Sequence, residues 1–332
     1  MQRPLDVVAI GHAIVDVLAE TSDDLPARFG REKGTMTLID SAEADRIYQA
    51  MDSATEVSGG SAANTAAGVA ALGGTAAFIG KVRDDPLGEV FTSDIRAAGV
   101  EFTTSPARGG PATGRCLVMV TPDAERTMST FLGAGDHVGA DDVDDEVIAR
   151  AGIVYVEGYL CGLPSTEGMP ARAAAAAHRA GGRFALSLSD PFWVELHGKE
   201  LDALLDDVDI LFGNRAEALG ICGTDDLAAA VDRLAERCAI VNVTLGAAGS
   251  MVAYDGRVVE VPAHPVDDVI DTTGAGDLYA AGFLWGLSQG LEAAACARLG
   301  GLAAAEIVSH LGARPQAPLA DMARRAGLLP DR

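Results

Sequence analysis

The string Asp271-Thr272-Thr273-Gly274-Ala275-Gly276-Asp277, followed by a long apolar stretch, is the strongest chemical signal in this 332-residue sequence. Its glycines permit a tight turn, and a helix that starts there presents unpaired N–H groups to an anion at its positive end. Asp277 falls in the first helical turn, where a carboxylate could accept the proton of an attacking hydroxyl. A lone aspartate at such a position is more often only a partner of the helix dipole. The whole string favours an anion hole beside a general base.

Two motifs in the first 70 residues suit a polyhydroxylated substrate. Gly59-Gly60-Ser61-Ala62-Ala63-Asn64 is a glycine turn that opens a helix, and the Asn64 amide can both donate to and accept from sugar hydroxyls. A tight turn with close helix packing is the alternative interpretation of this motif. Asp16 follows the first predicted strand and could accept hydrogen bonds from two vicinal hydroxyls, or be an exposed turn aspartate.

Two later motifs suit a nucleotide. Asn214 and Glu217, three residues apart on one helix face, could hold a hydrated Mg²⁺ through water, since Mg²⁺ prefers few carboxylates and several waters. A helix cap followed by a surface glutamate is the alternative. Thr244, Gly246 and Gly249 lie where a strand ends in a glycine loop, which is the edge at which such sheets bind ligands. A simple strand-to-strand turn would have the same pattern.

Composition and missing motifs exclude several protein classes. The formal net charge of −23 argues against nucleic-acid or anionic-membrane partners, which need basic patches. Neither a Walker-type phosphate loop nor a G-x-G-x-x-G fingerprint is present. The five cysteines are scattered, the six histidines have no metal-ligand spacing, and no stretch approaches the ~20 apolar residues of a membrane span. These features predict a soluble cytoplasmic protein that acts on a small molecule.

The elements that must position these motifs alternate between short apolar runs and Ala/Leu-rich helical stretches. This rhythm predicts an α/β fold with a mostly parallel sheet that is covered by helices on both faces. The predicted strands are Val7–Ile10, Ala76–Gly80, Ile153–Val156, Phe184–Leu188, Asp209–Phe212 and Ile240–Thr244. The predicted helices are Ala62–Leu72, Pro86–Ala98, Gly274–Gly290, Leu291–Ser309 and stretches near 165–180, 194–206, 215–221 and 225–238.

The alternation breaks at about residues 12–40 and 101–131. Strand-like runs such as Arg115–Val120 and Thr127–Phe131 follow one another there without an intervening helix. They predict a small separate sheet that could cover an active site as a lid, with an edge extension of the main sheet as the alternative. Because no repeat or low-complexity linker is present, residues 1–332 are interpreted as one catalytic domain with this lid.

Taken together, the motifs resemble the ribokinase/PfkB carbohydrate kinase family. Gly59–Asn64 is similar to its N-terminal signature, Asp271–Asp277 to its C-terminal signature and Asn214–Glu217 to its N-x-x-E motif. The order and spacing match over almost the whole chain. The resemblance implies a mostly parallel central sheet with a β-sheet lid, ATP and Mg²⁺ as cofactors, and phosphoryl transfer to a hydroxymethyl group.

The resemblance also implies a role for individual residues. Asp277 would be the catalytic base, and many family members place a monovalent cation such as K⁺ beside the anion hole. The implied sets are the anion hole (Gly274, Ala275, Gly276), the sugar-hydroxyl partners (Asp16, Gly59, Gly60, Asn64), the ATP-binding residues (Asn214, Thr244, Gly246, Gly249) and the monovalent-cation positions (Asp271, Thr273, Gly312).

Within the family, the nucleoside branch is favoured. Ribokinases carry an asparagine two residues before the position of Asp16, where this chain has Ile14, and an apolar residue suits a base better than an anomeric hydroxyl. The stretches similar to bacterial adenosine-kinase-like proteins are Thr130–Ala134, Glu157–Leu160 and Ser189–Trp193.

The sequence therefore predicts transfer of the γ-phosphoryl group of ATP to the 5′-hydroxymethyl of a nucleoside, with adenosine first. Met36, Leu38 and Phe131 would line the base pocket, unless they only pack the core of the lid. A sugar kinase for ribose, fructose or 2-keto-3-deoxygluconate is the alternative, and a non-catalytic nucleotide-binding regulator is a further one. Both a monomer and a homodimer are compatible with the family.

Overall fold

Fourteen strands are found in the part of the chain that the computed structural model describes, residues 4–123 and 125–329. In chain order they are β1 (Leu5–Ile10), β2 (Ile14–Glu20), β3 (Met36–Leu38), β4 (Thr55–Gly59), β5 (Ala76–Ile79), β6 (Val100–Phe102), β7 (Gly114–Val120), β8 (Arg126–Phe131), β9 (Ala151–Glu157), β10 (Arg183–Ser187), β11 (Ile210–Asn214), β12 (Ile240–Thr244), β13 (Ser250–Tyr254) and β14 (Arg257–Val261).

Helices connect most of these strands. They are α1 (Leu25–Arg28), α2 (Ser41–Ala50), α3 (Ser61–Ala71), α4 (Pro86–Ala97), α5 (Asp145–Ala149), α6 (Met169–Arg179), α7 (Pro191–Leu204), α8 (Arg215–Cys222), α9 (Leu227–Ala235), α10 (Ala275–Ser288), α11 (Ala293–Val308) and α12 (Leu319–Arg325). Asp85 starts α4 by accepting a hydrogen bond from the Gly88 N–H, and proline follows it at the first helical position. No helix in the described ranges is both long and apolar enough to cross a bilayer.

The large sheet has the order β14-β13-β12-β11-β10-β9-β1-β5-β6, and its strand pairs are parallel except for the antiparallel pairs β12–β13 and β13–β14 at one edge. Its central strands are mostly apolar because helices cover both faces. The predicted α/β fold and the strands predicted from apolar runs are confirmed, with small shifts at their ends. Parallel strands end at one edge of the sheet, so the motifs that follow β1, β11 and β12 lie along that edge.

The small sheet has the order β3-β8-β7-β2-β4 and is separate from the large one in the described residues. Four of its strands, β2, β3, β7 and β8, lie within the two predicted segments, but the bounds of the sheet differ from the predicted ones. Strand β4 lies beyond residue 40 and pairs with β2, whereas β6 pairs with β5 in the large sheet. The Thr55–Gly59 run was missed because it is short and largely polar.

Helices α3 and α10, which begin with the two glycine motifs, pack directly against each other through small residues. A Cβ on Gly68 of α3 would lie 2.6 Å from the Cβ of Ala281 in α10. On its other side α10 meets α11, where a Cβ on Gly282 would lie 2.7 Å from the Cα of Gly300. This close approach brings the N-termini of α3 and α10 to one cleft between the two sheets.

Candidate active site

Asp277 is held between the two glycine motifs. Its Oδ1 accepts a hydrogen bond from the Ser61 hydroxyl at 2.6 Å, and its Oδ2 accepts one from the Asn64 amide at 2.9 Å. Gly274, the N-cap of α10, has φ 79°, and a Cβ there would lie 2.9 Å from the Cβ of Ala313. Motifs more than 200 residues apart therefore form one constellation.

The environment of Asp277 suits a base that works near neutral pH. Burial raises the pKa of Asp277 to about 6, although the hydrogen bonds from Ser61 and Asn64 lower it. A carboxylate with this pKa is mostly ionised at neutral pH and is still basic enough to take a proton from a reacting hydroxyl. Around Gly276, in the same helical turn, nothing lies within 4 Å of an added Cβ, so its backbone can be approached from the cleft.

Asp16 faces the cleft from strand β2 of the small sheet. A Cβ on Gly59 would lie 2.3 Å from Asp16 Oδ2, so a larger residue in the neighbouring strand would displace the Asp16 carboxylate. Burial raises the pKa of Asp16 to about 6, the charges of Arg314 and Arg126 lower it, and Asp277 raises it further. Among the described residues the Asp16 carboxylate forms no hydrogen bond or ion pair, which leaves its oxygens available to substrate hydroxyls.

An apolar strip lies beside Asp16 on the same face of the small sheet. Asp16 pairs with Cys116, Cys116 with Thr130, and Thr130 with Leu38. Directly opposed residues share a face, so Leu38 and, two residues earlier, Met36 point to the cleft side together with Ile14. Met36 is 46% exposed and Leu38 47% exposed, and such apolar side chains are available to a ligand.

Phe131 differs from the other predicted base-pocket residues. It follows Thr130 in β8, so alternation places its side chain on the opposite face, where it packs against the core under the small sheet. It still borders a cavity of about 300 Å³, which Leu38, Leu132 and Asp136 also line. The structure thus brings Ile14, Met36 and Leu38 together on the cleft face, with Phe131 at its margin.

The predicted nucleotide residues lie at the ends of β11 and β12. Asn214 and Thr244 are directly paired at these ends. A Cβ on Gly249 (φ 94°) would lie 2.0 Å from the Val261 carbonyl oxygen, so the turn from β12 to β13 requires glycine there. Gly246 is open on its Cβ side. The Thr244–Gly249 segment is therefore a strand-to-strand turn at the edge of the sheet where the strands β11 and β12 end.

Asn214 and Glu217 form a capping box at the start of α8. The Glu217 N–H donates to Asn214 Oδ1 at 3.0 Å, and the Asn214 N–H donates to Glu217 Oε2 at 2.9 Å. Glu217 is buried rather than on the surface, and burial raises its pKa to about 7. No cluster of three or more metal-ligating side chains occurs in the described residues. The set fits Mg²⁺ held through water, because each Glu217 oxygen keeps a second lone pair.

The three predicted monovalent-cation residues also meet. Asp271 Oδ1 accepts hydrogen bonds from the Thr273 hydroxyl at 2.7 Å, and Asp271 Oδ2 accepts one from the Gly312 N–H at 2.9 Å. Arg126 from β8 adds an ion pair to Oδ2 at 2.6 Å. N–H donors and a guanidinium surround the carboxylate, so this arrangement does not fit a bound monovalent cation.

Arg314 forms contacts that the sequence patterns did not indicate. Its guanidinium donates to the Ser58 carbonyl at 3.0 Å, the Ser58 hydroxyl at 2.8 Å and the Ala63 carbonyl at 2.7 Å. It thereby holds the turn between β4 and α3 from both ends, and burial lowers the pKa of Arg314 to about 10. Its position two residues after Gly312 was the available signal, but nothing in a loop arginine reveals that it is buried.

His12 and Glu157 form a second unpredicted contact behind the cleft. Glu157 Oε1 lies 2.6 Å from His12 Nδ1 and accepts from the His12 N–H, while Oε2 accepts from the Ala62 N–H at 2.9 Å. Burial by itself would lower the pKa of His12, but the Asp136 and Glu157 carboxylates outweigh it and raise that pKa to about 9. The pair fixes the N-terminus of α3, which carries Ser61 and Asn64.

A family model described as "pfkB family carbohydrate kinase" matches residues 6–320. The chain belongs to the pfkB family. It is accordingly a phosphotransferase with an alcohol group as acceptor, whose family uses ATP and small-molecule substrates. This agrees with the buried Asp277 carboxylate in the first turn of α10.

Similar proteins within the pfkB family include both nucleoside and sugar kinases. An adenosine kinase from Sinorhizobium meliloti is 46% identical, with 98% of this chain and 100% of that chain covered and a TM-score of 0.90. A probable sugar kinase from Rhizobium etli is 42% identical, with 99% and 100% covered and a TM-score of 0.92. A fructokinase from Klebsiella pneumoniae is 29% identical, with 77% of this chain and 85% of the fructokinase covered.

Proposed function

We propose that this pfkB-family kinase transfers the γ-phosphoryl group of ATP to the 5′-hydroxymethyl of a nucleoside, with adenosine as the first candidate. The observation that carries the proposal is the shared cleft face of Asp16, Ile14, Met36 and Leu38, opposite Asp277. The carboxylate suits ribose hydroxyls, and the exposed apolar strip beside it suits a base. Similarity to the adenosine kinase from Sinorhizobium meliloti supports this choice.

In the proposed reaction Asp277 accepts the proton of the attacking hydroxyl. Ser61 and Asn64 each donate to one of its oxygens and fix the orientation of the carboxylate. The Gly274–Gly276 turn directs the N–H groups of the α10 N-terminus toward the negative charge on the transferring group. Asp16 binds the vicinal ribose hydroxyls, so the acceptor is held in place by the small sheet and activated by Asp277 of helix α10.

The nucleotide would lie along the ends of β11 and β12, where Asn214, Thr244 and Gly246 offer polar atoms and open backbone. Glu217 would orient Mg²⁺ through water, and the bound ion would neutralise phosphate charge. A non-catalytic regulator is disfavoured because the base, the glycine turn and the capping box are all intact.

Ile14 is the residue that we expect to favour a nucleoside over a free sugar as the substrate. It offers no hydrogen bond, so the anomeric hydroxyl of ribose would be left desolvated and unpaired there at a cost of ~1–3 kcal/mol. A base would instead bury apolar area against Ile14, Met36 and Leu38. Both effects favour the nucleoside, and together they predict a preference of at least ~10²-fold in kcat/KM for adenosine over ribose.

The test is a phosphoryl-transfer panel with ATP and adenosine, ribose, fructose and 2-keto-3-deoxygluconate. Ile14→Asn should narrow the gap between adenosine and ribose by supplying a polar partner, whereas the control Ile14→Val keeps the apolar contact and should leave the gap wide. Equal or better turnover of ribose by the unmodified protein would refute the nucleoside assignment and favour the sugar kinase. The probable sugar kinase from Rhizobium etli supports that second candidate.

A further inference from the structure

Asp271, in the loop before α10, has a carboxylate whose two oxygens are both engaged. Oδ1 accepts from the Thr273 N–H at 3.1 Å and the Thr273 hydroxyl at 2.7 Å. Oδ2 accepts from the Gly312 N–H at 2.9 Å and pairs with Arg126 Nη1 at 2.6 Å. The Asp271 side chain is 4% exposed, so the charge that compensates it must come from within the protein.

Arg126 reaches this carboxylate from strand β8 of the small sheet. Its side chain is 10% exposed, and its Nε and Nη2 atoms are buried without an acceptor among the described residues. Asp271 is therefore the group that neutralises the guanidinium by direct contact. If another cation took that place, Arg126 would be left buried with no partner, which is strongly unfavourable.

We propose that the Arg126 guanidinium replaces a bound monovalent cation at Asp271, so that phosphoryl transfer by this chain is independent of potassium. The ion pair also joins the small sheet to the loop that precedes the anion hole. The inference concerns the Asp271 side of the cleft and holds for a nucleoside or a sugar acceptor alike. The proposal has a second consequence: removing the guanidinium should create a binding site for an external cation.

An external cation would have a route to that place. A cavity of about 780 Å³, lined by Arg126, Gly312 and Arg314, adjoins the ion pair. With Arg126 shortened, the Asp271 carboxylate and the Thr273 hydroxyl would offer oxygen ligands from this cavity. Arg126→Gln and Arg126→Ala are the two variants that remove the charge. Arg115→Gln is the matched control, because Arg115 is a buried arginine of the adjacent strand that pairs with Asp45 of α2.

The first measurement is thermal unfolding in potassium, sodium and choline chloride at matched ionic strength, which needs no activity. The unmodified protein and Arg115→Gln should show the same Tm in potassium and choline, whereas Arg126→Gln and Arg126→Ala should gain a potassium-specific increase. The second is kcat/KM with the best acceptor of the panel. It should change less than about twofold with potassium in the unmodified protein, and rise about fivefold or more in the Arg126 variants that retain turnover.

Measurements on the unmodified protein alone test whether its activity is independent of potassium, even if an Arg126 variant fails to fold. A potassium-specific increase in its Tm or a several-fold activation by potassium would overturn the proposal. If folded Arg126 variants have the same Tm in all three salts, no cation binds at Asp271 after the guanidinium is removed. That result would overturn the claim that Arg126 takes the place of a cation. If no acceptor in the panel is phosphorylated, the Tm comparison is still valid. The proposed kinase function and the proposed independence from potassium can therefore be refuted separately.

Discussion

At the scale of single residues, Asp277 is the group on which phosphoryl transfer depends most. Asp277→Asn keeps the shape of the side chain but removes the proton acceptor, and we expect kcat to fall by ~10²–10⁴ with little change in substrate affinity. Because burial raises the pKa of Asp277 to about 6, protonation should also lower kcat/KM of the unmodified protein as the pH falls through that value. Steady-state kinetics across the acidic range measures both effects.

Asp226→Asn is the control for this experiment, because Asp226 caps α9 with its side chain and lies outside the cleft. It should keep the unmodified kcat and the same acidic limb of the pH profile. Near-normal kcat in a folded Asp277→Asn variant would show that another group takes the proton. An acidic limb far below pH 6 would contradict the environment described for Asp277.

Glu217 is a residue whose charge depends on pH in the physiological range. Burial raises its pKa to about 7, and only its ionised form attracts a hydrated Mg²⁺ strongly. The Mg²⁺ concentration needed for half-maximal activity should therefore fall as the pH rises through 7. Glu217→Gln should need more Mg²⁺ at every pH and lose this dependence, while Glu236→Gln on the exposed end of α9 should behave like the unmodified protein. If the Mg²⁺ titrations of Glu217→Gln and the unmodified protein superimpose, Glu217 caps the helix and has no role in binding Mg²⁺.

At the scale of elements, the His12–Glu157 pair joins the end of β9, the crossover after β1 and the start of α3. Removing one member of a buried ion pair costs about 3–5 kcal/mol, so His12→Gln and Glu157→Gln should each unfold at lower urea concentration. The double variant should lose less stability than the sum of the two. KM should rise in each, because the helix start that carries Ser61 and Asn64 loses its anchor.

The pH dependence of this pair has a definite sign. The folded-state pKa of His12 is raised from 6.5 to about 9, so its contribution to the free energy of unfolding is complete below 6.5 and is lost as the pH rises through about 9. The unmodified protein should lose stability over that window, and His12→Gln should lose less. Equal slopes of stability against pH, or fully additive single variants, would show that the two side chains do not interact.

Sequence periodicity predicted most of these elements because burial on both faces of the large sheet imposes continuous apolar runs. The exceptions have a physical reason. Strand β3 is three residues long with two exposed apolar side chains, and β4 is polar over most of its length. Such strands are specified by their neighbours in the small sheet rather than by a pattern of their own, and this is why the predicted bounds of that sheet were incomplete.

The candidate site was predictable where motifs fall at the ends of regular elements. Asp277 and Asn64 converge because the helix N-termini that carry them share one edge of the large sheet. Asp16 faces them from strand β2 of the small sheet. Arg314 and Arg126 were not predictable, because their partners are set by tertiary structure. The Ser58 carbonyl lies 256 positions from Arg314 in the chain, and no local pattern records that contact.

At the scale of the whole molecule, the described chain passes between the two sheets at two narrow places. At the first, Gly60 has φ 96°, and a Cβ there would lie 2.2 Å from the His12 carbonyl oxygen. At the second, Gly133 has φ 57°, and a Cβ there would lie 2.3 Å from the Ala112 carbonyl oxygen. At each place two linking segments of the chain lie side by side, and they meet at a glycine that no larger residue can replace without strain. Two such points define an axis, about which we propose that the small sheet closes over the cleft.

Closure should be visible as slower amide hydrogen exchange when the acceptor binds. We expect added protection in β2, β4, β7 and β8, since an open site exposes the reacting phosphoryl group to water and closure excludes it. Helix α6, which packs on the far face of the large sheet, should exchange equally with and without the acceptor and serves as the internal control. In Arg126→Gln the small sheet loses its ion pair to Asp271, so these strands should exchange faster without ligand and show a larger gain in protection on binding. Identical exchange in the four strands with and without a saturating acceptor would exclude the small sheet as a lid and leave it a fixed wall of the cleft.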